Sequence, residues 1–164
     1  MIRNFLSVGI VFAICAFVGA QSSGSLAGPQ RAELYKKNRL VIERLVDKTV
    51  ESSKVSNDHV KRAGSYNQVL VEFSKAISDA KNAKDAERVK ELTQHLNTLL
   101  DKGLAPTLTD AQRQAKGTHL EEYLQTRDVL LAQVTALLQI VETNAAAHSS
   151  LNATQARLIE KIGK

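Results

Sequence analysis

One cysteine, one methionine, two prolines and no tryptophan occur among the 164 residues, and the aromatics are four phenylalanines and three tyrosines. With Ala, Leu, Val, Lys, Glu and Gln dominating instead, the composition disfavours a β-sandwich and favours helix. The one cysteine, Cys15, falls inside an apolar run near the start that has the character of a leader, so the exported chain is expected to hold no cysteine. That absence removes disulfides, thiolate metal sites, a thiol nucleophile and the Cys-x-x-Cys-His attachment of haem.

Histidine is scarce as well, and its surroundings exclude more. A di-iron site in a helical bundle uses Glu-x-x-His twice, because residues three apart share an inward face. Three positions before His59, His95, His119 and His148 stand Ser56, Leu92, Lys116 and Ala145. His95 follows Glu91 by one turn and His119 precedes Glu122, but one imidazole and one carboxylate do not reach the three or four ligands of a zinc site. Both pairs are expected to be surface ion pairs. There is no Gly-x-Ser-x-Gly elbow and no glycine-rich phosphate loop. Neighbouring carboxylates such as Glu121 and Glu122 point about 100° apart on a helix and make no dyad. The expectation is a protein with no catalytic residue, no cofactor and no metal.

The first 20 residues stand apart. Arg3 gives a positive start, Phe5 to Val18 is an apolar run broken only by Ser7, and Val18, Gly19 and Ala20 offer small side chains where a signal peptidase reads. The run is shorter than the roughly 20 apolar residues of a spanning helix, so cleavage after Ala20 is preferred to a retained anchor. The chain is therefore expected in a periplasm or outside the cell, with no stable membrane span after cleavage. Removing Arg3 from the 22 basic residues leaves 21 against 17 acidic ones. They lie in small groups, Lys36-Lys37, Lys61-Arg62 and Arg113 with Lys116, among charges of both signs. A nucleic-acid surface would set a basic face among aromatics, so nucleic acid is not an expected partner.

What remains is amphipathic helix. Residues 21–28 are rich in Ser and Gly and suit a flexible tether. A first helix is predicted from about Pro29 to Val55, burying Leu34, Tyr35, Val41, Ile42, Leu45, Val46 and Thr49. A second, capped by Asp58, carries Ala63, Tyr66, Leu70, Phe73, Ile77 and Ala80. Its stripe loses phase after Ala80, which places a turn at Asn82 to Lys84 and a cap at Asp85, one long bent helix being the alternative. The third helix carries Val89, Leu92, Leu96, Leu99 and Leu100; Gly103 and Pro106 could end it, but the rhythm continues to about Lys116, which favours a kink at Pro106. Lys116-Gly117 closes it, and Thr118 with Glu121 forms a capping box for the fourth. That helix, to Ala145, has the strongest stripe: Leu120, Tyr123, Leu124, Leu130, Leu131, Val134, Leu137, Leu138 and Val141. Residues 146–164 are expected to be a linker and a short amphipathic helix with Asn152 as its cap. The predicted fold is all-α: an up-down-up-down antiparallel four-helix bundle over residues 29–145 with a short C-terminal helix, preceded by a signal peptide.

The pentapeptide Leu108-Thr109-Asp110-Ala111-Gln112 resembles the Leu-Thr-x-x-Gln motif of Spy-type periplasmic chaperones, and Leu151-Asn152-Ala153-Thr154-Gln155 keeps its Leu and Gln. The resemblance implies an exported helical protein that dimerises into a basic cradle and holds unfolding clients, with Leu108, Thr109 and Gln112 as motif residues. The residues themselves support a broader expectation: an exported, non-enzymatic bundle that binds a protein partner or itself. A metal or small-ligand carrier is the third reading.

Overall fold

The computed structural model describes residues 58–162 continuously and, before them, Gly28, Pro29, Ala32, Glu33, Lys36, Asn38, Arg39, Val41, Glu43, Arg44, Leu45 and Asp47, all twelve helical. The expected signal peptide lies outside the described residues, as does the tether up to Gly28. Among the described residues there is no strand. The continuous part folds into α1 (His59–Asn82), α2 (Ala86–Leu99), a π-helical turn (Leu100–Leu104), α3 (Ala105–Gln114), α4 (Thr118–Val141) and α5 (Ala145–Ile162).

Two of the connections follow directly from side-chain chemistry. The Asp58 carboxylate accepts the N–H groups of Val60 at 3.0 Å and Lys61 at 3.1 Å, so α1 begins where the sequence placed its cap. The Lys61 N–H is the first cause holding that carboxyl below the usual carboxylate range. At the other end Lys84 adopts φ 56°, and the N–H groups of Lys84 and Asp85 return to the carbonyls of Lys81 and Ala80, both at 2.9 Å. This is a Schellman closure with a lysine where glycine usually sits. Asp85 then caps α2 by accepting from the Arg88 N–H at 3.1 Å.

The predicted kink takes a different form. Helical path continues from Ala86 to Gln114, but the irregularity is a π turn over Leu100–Leu104, and Pro106 sits in the first turn of α3. Proline lacks an N–H and crowds the preceding turn, and one extra residue inserted ahead of it absorbs both effects while Leu100, Leu104 and Leu108 all stay fully buried. Gly103 in that turn meets α1: a Cβ there would lie 2.8 Å from the Tyr66 hydroxyl oxygen. Tyr66 is hydrogen-bonded to Thr107, whose hydroxyl donates to the Gly103 carbonyl at 2.8 Å.

The capping box at Thr118 is not the feature found. Ala115 leaves α3 in extended conformation, Gly117 reverses the chain at φ 61° and takes the cap position, and Thr118 already lies inside the helix. On α4, Tyr123, Leu130, Val134, Leu137, Leu138 and Val141 are buried, and Leu124 and Leu131 are partly so. Leu120, on the flank of the stripe in the first turn, is 44% exposed rather than buried.

The larger correction concerns the walls of the core. The C-terminal segment is no short appendage: α5 runs for 18 residues from Ala145, buries Ala147, Leu151, Thr154, Leu158 and Ile162, and lies against α2, α3 and α4. Its cap is Asn144, which accepts the Ala147 N–H at 3.1 Å, not Asn152. The alanine run looked like a linker because it has no large apolar side chain, yet alanine is the strongest helix former and its methyl group permits close approach. α1 lies against α2, α3 and α4, so α1, the α2–α3 rod, α4 and α5 surround the core.

Helix direction departs from an arrangement of antiparallel neighbours. A Cβ at Gly64 would lie 3.9 Å from Thr126, and Lys81 lines the same notch as Val141, so α1 and α4 run side by side in one sense. Bonds from Asn144 to the Ala86 carbonyl (3.3 Å), Asn97 to Ser150 (2.7 Å) and Arg157 to Asp101 (2.8 Å) do the same for α2 and α5. The chain thus forms two helical hairpins, α1 with α2 and α4 with α5. Their long helices have 24 residues each, and their turns meet at one end.

Lys84→Gly is expected to stabilise the fold by about 1 kcal/mol in urea unfolding, since the left-handed backbone disfavours a side chain. Gly103→Ala is expected to cost about 1–3 kcal/mol through overpacking against Tyr66. Part of that cost should be recovered when Tyr66→Phe is added, and a double-mutant cycle measures the coupling.

Candidate functional site

Two buried threonine hydroxyls bond within their own helix. Thr93 donates to Val89 at 2.8 Å and Thr154 to Ser150 at 3.2 Å, so the one donor of each hydroxyl is used within its own helix. Several of the polar groups that reach between helices lie along α2 and the π turn that follows it. The edge facing α5 carries the Asn97 to Ser150 bond and the Asp101 to Arg157 ion pair, both at the surface.

The opposite edge is different. Arg88, Glu91 and His95 fall at steps of three and four and so share one side of α2. Against them lies Asn38, 1% exposed, from the N-terminal helical residues. Its amide N–H donates to Glu91 Oε2, and its oxygen accepts from Arg88 Nε at 2.9 Å. The amide is therefore oriented by charge at both ends, donor toward carboxylate and acceptor toward guanidinium. Val41 and Leu45 continue the same side of the N-terminal helix, Val41 against the core and Leu45 within it. Arg44 reaches Glu72 of α1 at 3.9 Å. Asn38, Val41, Arg44 and Leu45 thus meet α2, the core and α1, which seats this helix along the α1–α2 groove.

Burial sets the electrostatics of this edge. Desolvation first pushes the Glu91 carboxyl above its usual range, opposed by the Asn38 bond and by Arg88 and reinforced by Asp85. Burial also lowers the His95 imidazole, whose Nε2 lies 4.0 Å from Glu91 Oε1. Both groups are driven toward their neutral forms.

The two predicted ion pairs therefore separate. His119 and Glu122 approach to 3.5 Å with side chains 67% and 46% exposed, the expected surface pair. Glu91 and His95 instead belong to a half-buried junction that the sequence reading missed, because it assigned Asn38 to neither face. The available signal was its spacing: Asn38 stands three before Val41 and seven before Leu45, in line with the apolar side.

The motif residues occupy ordinary helix positions. Leu108 is fully buried in the core, the Thr109 hydroxyl donates to the Ala105 carbonyl at 2.9 Å, and Gln112 is half-buried in the last turns of α3. In the second segment Leu151 is buried and Gln155 donates to Thr135 of α4 at 2.8 Å, joining α5 to α4.

Two clefts mark the end where the hairpin turns meet. One of about 470 Å³ is lined by Lys81, Lys84, Val89, Ile140 and Asn144 among others, and one of about 540 Å³ by Thr135, Leu138, Gln139, Glu142 and His148. Among the described residues no three His, Cys, Asp or Glu side chains are placed to hold a metal, and no helix is long and apolar enough to cross a membrane. Compared with known protein families, characterised proteins and solved structures, the chain matches none.

The junction carries a pH signature. His95 resists protonation in the folded state, so stability is full above about pH 6.5, the ordinary imidazole value, and falls as pH drops below it. Glu91 has the opposite sign: its raised carboxyl gains stability relative to the unfolded chain as pH falls through the raised value toward about 4.3. Unfolding midpoints measured against pH should show His95→Gln abolishing the first loss and Glu91→Gln abolishing the later recovery.

Proposed function

We propose that this chain is an exported, non-enzymatic helical protein that binds another protein by accepting an amphipathic helix along the α1–α2 groove. The observation carrying this reading is the seating of Asn38. A buried amide held between Glu91 and Arg88, with Val41 and Leu45 continuing the contact, is the chemistry by which one helix selects another. A buried polar match adds selectivity that leucine contacts alone do not supply, since a helix lacking the amide takes a hydrogen bond away from the half-buried Glu91 carboxylate.

Export rests on the leader-like run from Phe5 to Val18 and the small residues before Gln21. The short connections at Ala83 to Asp85, Ala115 to Gly117 and Glu142 to Asn144 support an up-down-up-down course along the chain. The reading needs no cofactor, nucleic acid or membrane span.

The test is affinity capture from the producing cell's envelope with the tagged protein, beside Glu91→Lys in the groove and Asp128→Lys on the exposed side of α4. A dominant partner retained by Asp128→Lys and lost by Glu91→Lys is the expected result. Capture that ignores Glu91→Lys, or returns nothing reproducible, overturns the groove as the binding site. A Spy-like holdase would instead suppress aggregation of an unrelated denatured client at near-stoichiometric ratios and be insensitive to Glu91→Lys. The recovered protein should begin at Gln21 by mass spectrometry.

A further inference from the structure

Among the described residues, the walls of the cleft between the two hairpin turns carry cations and hydrocarbon but no carboxylate. It opens on the α5 edge of α2, away from Asn38. The geometry points to a binding site for a small organic anion, a carboxylate on a short aliphatic chain. Its head meets Lys81 and Lys84, and its body lies against Ile140 and the outer sides of Val89 and Val141.

The turns themselves fix the walls. On the α1–α2 side, the N–H groups of Lys84 and Asp85 return to the carbonyls of Lys81 and Ala80 at 2.9 Å, so one closed turn holds both lysines. On the α4–α5 side, Asn144 accepts the Ala147 N–H at 3.1 Å and donates to the Ala86 carbonyl at 3.3 Å, which ties one turn to the other. The space so enclosed, about 470 Å³, is of the size that small-molecule sites use.

Positive potential reaches the cleft from both sides. Lys81 and Lys84 are exposed, and neither ammonium has an ion-pair or hydrogen-bond partner among the described residues. Lys61, Arg113, Arg127 and Arg157, by contrast, each meet a carboxylate. α5 begins in the opposite wall at Ala145, behind a neutral amide cap and with no acidic side chain in its first turn, so the positive end of its dipole is uncompensated there. The acids nearest in sequence are directed elsewhere: Asp85 turns its carboxylate to the Arg88 N–H at 3.1 Å, and Glu142 lines the other cleft.

Lys84 holds its charge at φ 56°, where glycine is the usual residue. The chain thus keeps a cation at the cleft in a backbone conformation that a residue without a side chain would relax. Hydrocarbon decides the rest of the ligand. Val89 and Val141 belong to the core and Ile140 packs against it, so the floor offers an inorganic anion nothing, whereas an aliphatic body covers it.

The test is a titration of the nitrogen-15-labelled full chain, followed by amide chemical shifts. Octanoate, added to about 10 mM, is expected to shift the amides of residues 81–86 and 143–146 along one saturating curve. Octylammonium, with the same hydrocarbon and the opposite charge, and inorganic phosphate, with charge and no hydrocarbon, should each produce far smaller shifts. Lys81→Met and Lys84→Gly should each weaken octanoate binding about five- to tenfold. Lys84→Gly separates binding from folding, because the same substitution is expected to raise resistance to urea. Absence of a saturating shift at these amides overturns the site, as does an equal response to octylammonium or an unchanged affinity in either variant. Phosphate shifting the same amides as far as octanoate means an adventitious ion only, and overturns it as well.

Discussion

The stripe of Tyr123, Leu130, Val134, Leu137 and Val141 along α4 is stable only out of water, and its length sets how much helix must gather around it. No single partner covers a helix on all the sides this stripe reaches. α1 takes one side along its full length, α5 another, and the α2–α3 rod closes the far wall. Small residues then determine how near the rods come: Gly103 receives the Tyr66 ring, and Gly64 lies opposite Thr126. Thr93 and Thr154 in the interior bond within their own helices, and the Tyr66–Thr107 pair is a polar contact between helices inside an otherwise hydrocarbon core. This is a division of labour, with apolar area supplying stability and the edges of α2 supplying discrimination.

The two edges of α2 show how burial changes what a polar contact does. Asp101 and Arg157 meet at 2.8 Å, but solvent reaches both, and a pair of that kind contributes roughly 0–1 kcal/mol. The Asn38 junction has an amide almost wholly out of water and a carboxyl whose ionisation is disfavoured by burial. Removing Asn38 there takes a hydrogen bond away from a partly desolvated carboxylate, which costs more than losing a contact at the surface. The same residue types thus stitch two helices loosely on one side of α2 and register a helix on the other.

Much of the helix plan was legible because it is local. Asp58 and Asp85 sit immediately before apolar stripes, the phase break after Ala80 fell where the Schellman turn lies, and the Leu130 to Val141 spacing allowed no other element. What escaped depended on distant partners. The run from Ala145 to Ser150 has no large apolar residue, and only its neighbours decide that such a helix closes a wall. Gly117 displaced the cap expected at Thr118 because chain reversal required positive φ, a demand set by where α3 ends. Pro106 was recognised as a disturbance, but whether a helix kinks or inserts a π turn depends on keeping Leu104 and Leu108 inward. Asn38 was invisible for the same reason: an asparagine among apolar neighbours acquires meaning only from the Arg88 and Glu91 that meet it.

These placements bear on which kind of binding suits the surface. A holdase that takes many unfolding clients needs contiguous exposed apolar area. The large apolar side chains exposed among the described residues are Val71 on α1, Leu120 and Val129 on α4, and Ile159 on α5. On α4, Leu120 and Val129 lie nine positions apart on opposite flanks of the buried stripe, and single exposed apolar residues are common on soluble proteins. Leu108, the apolar residue of the chaperone-like motif, is spent on the core. The α1–α2 groove offers the contrary chemistry, a narrow track with a charged pair at one place and an apolar contact one and two turns farther on. A track of that kind rewards one helix and penalises the rest, which favours a specific partner over a broad client range.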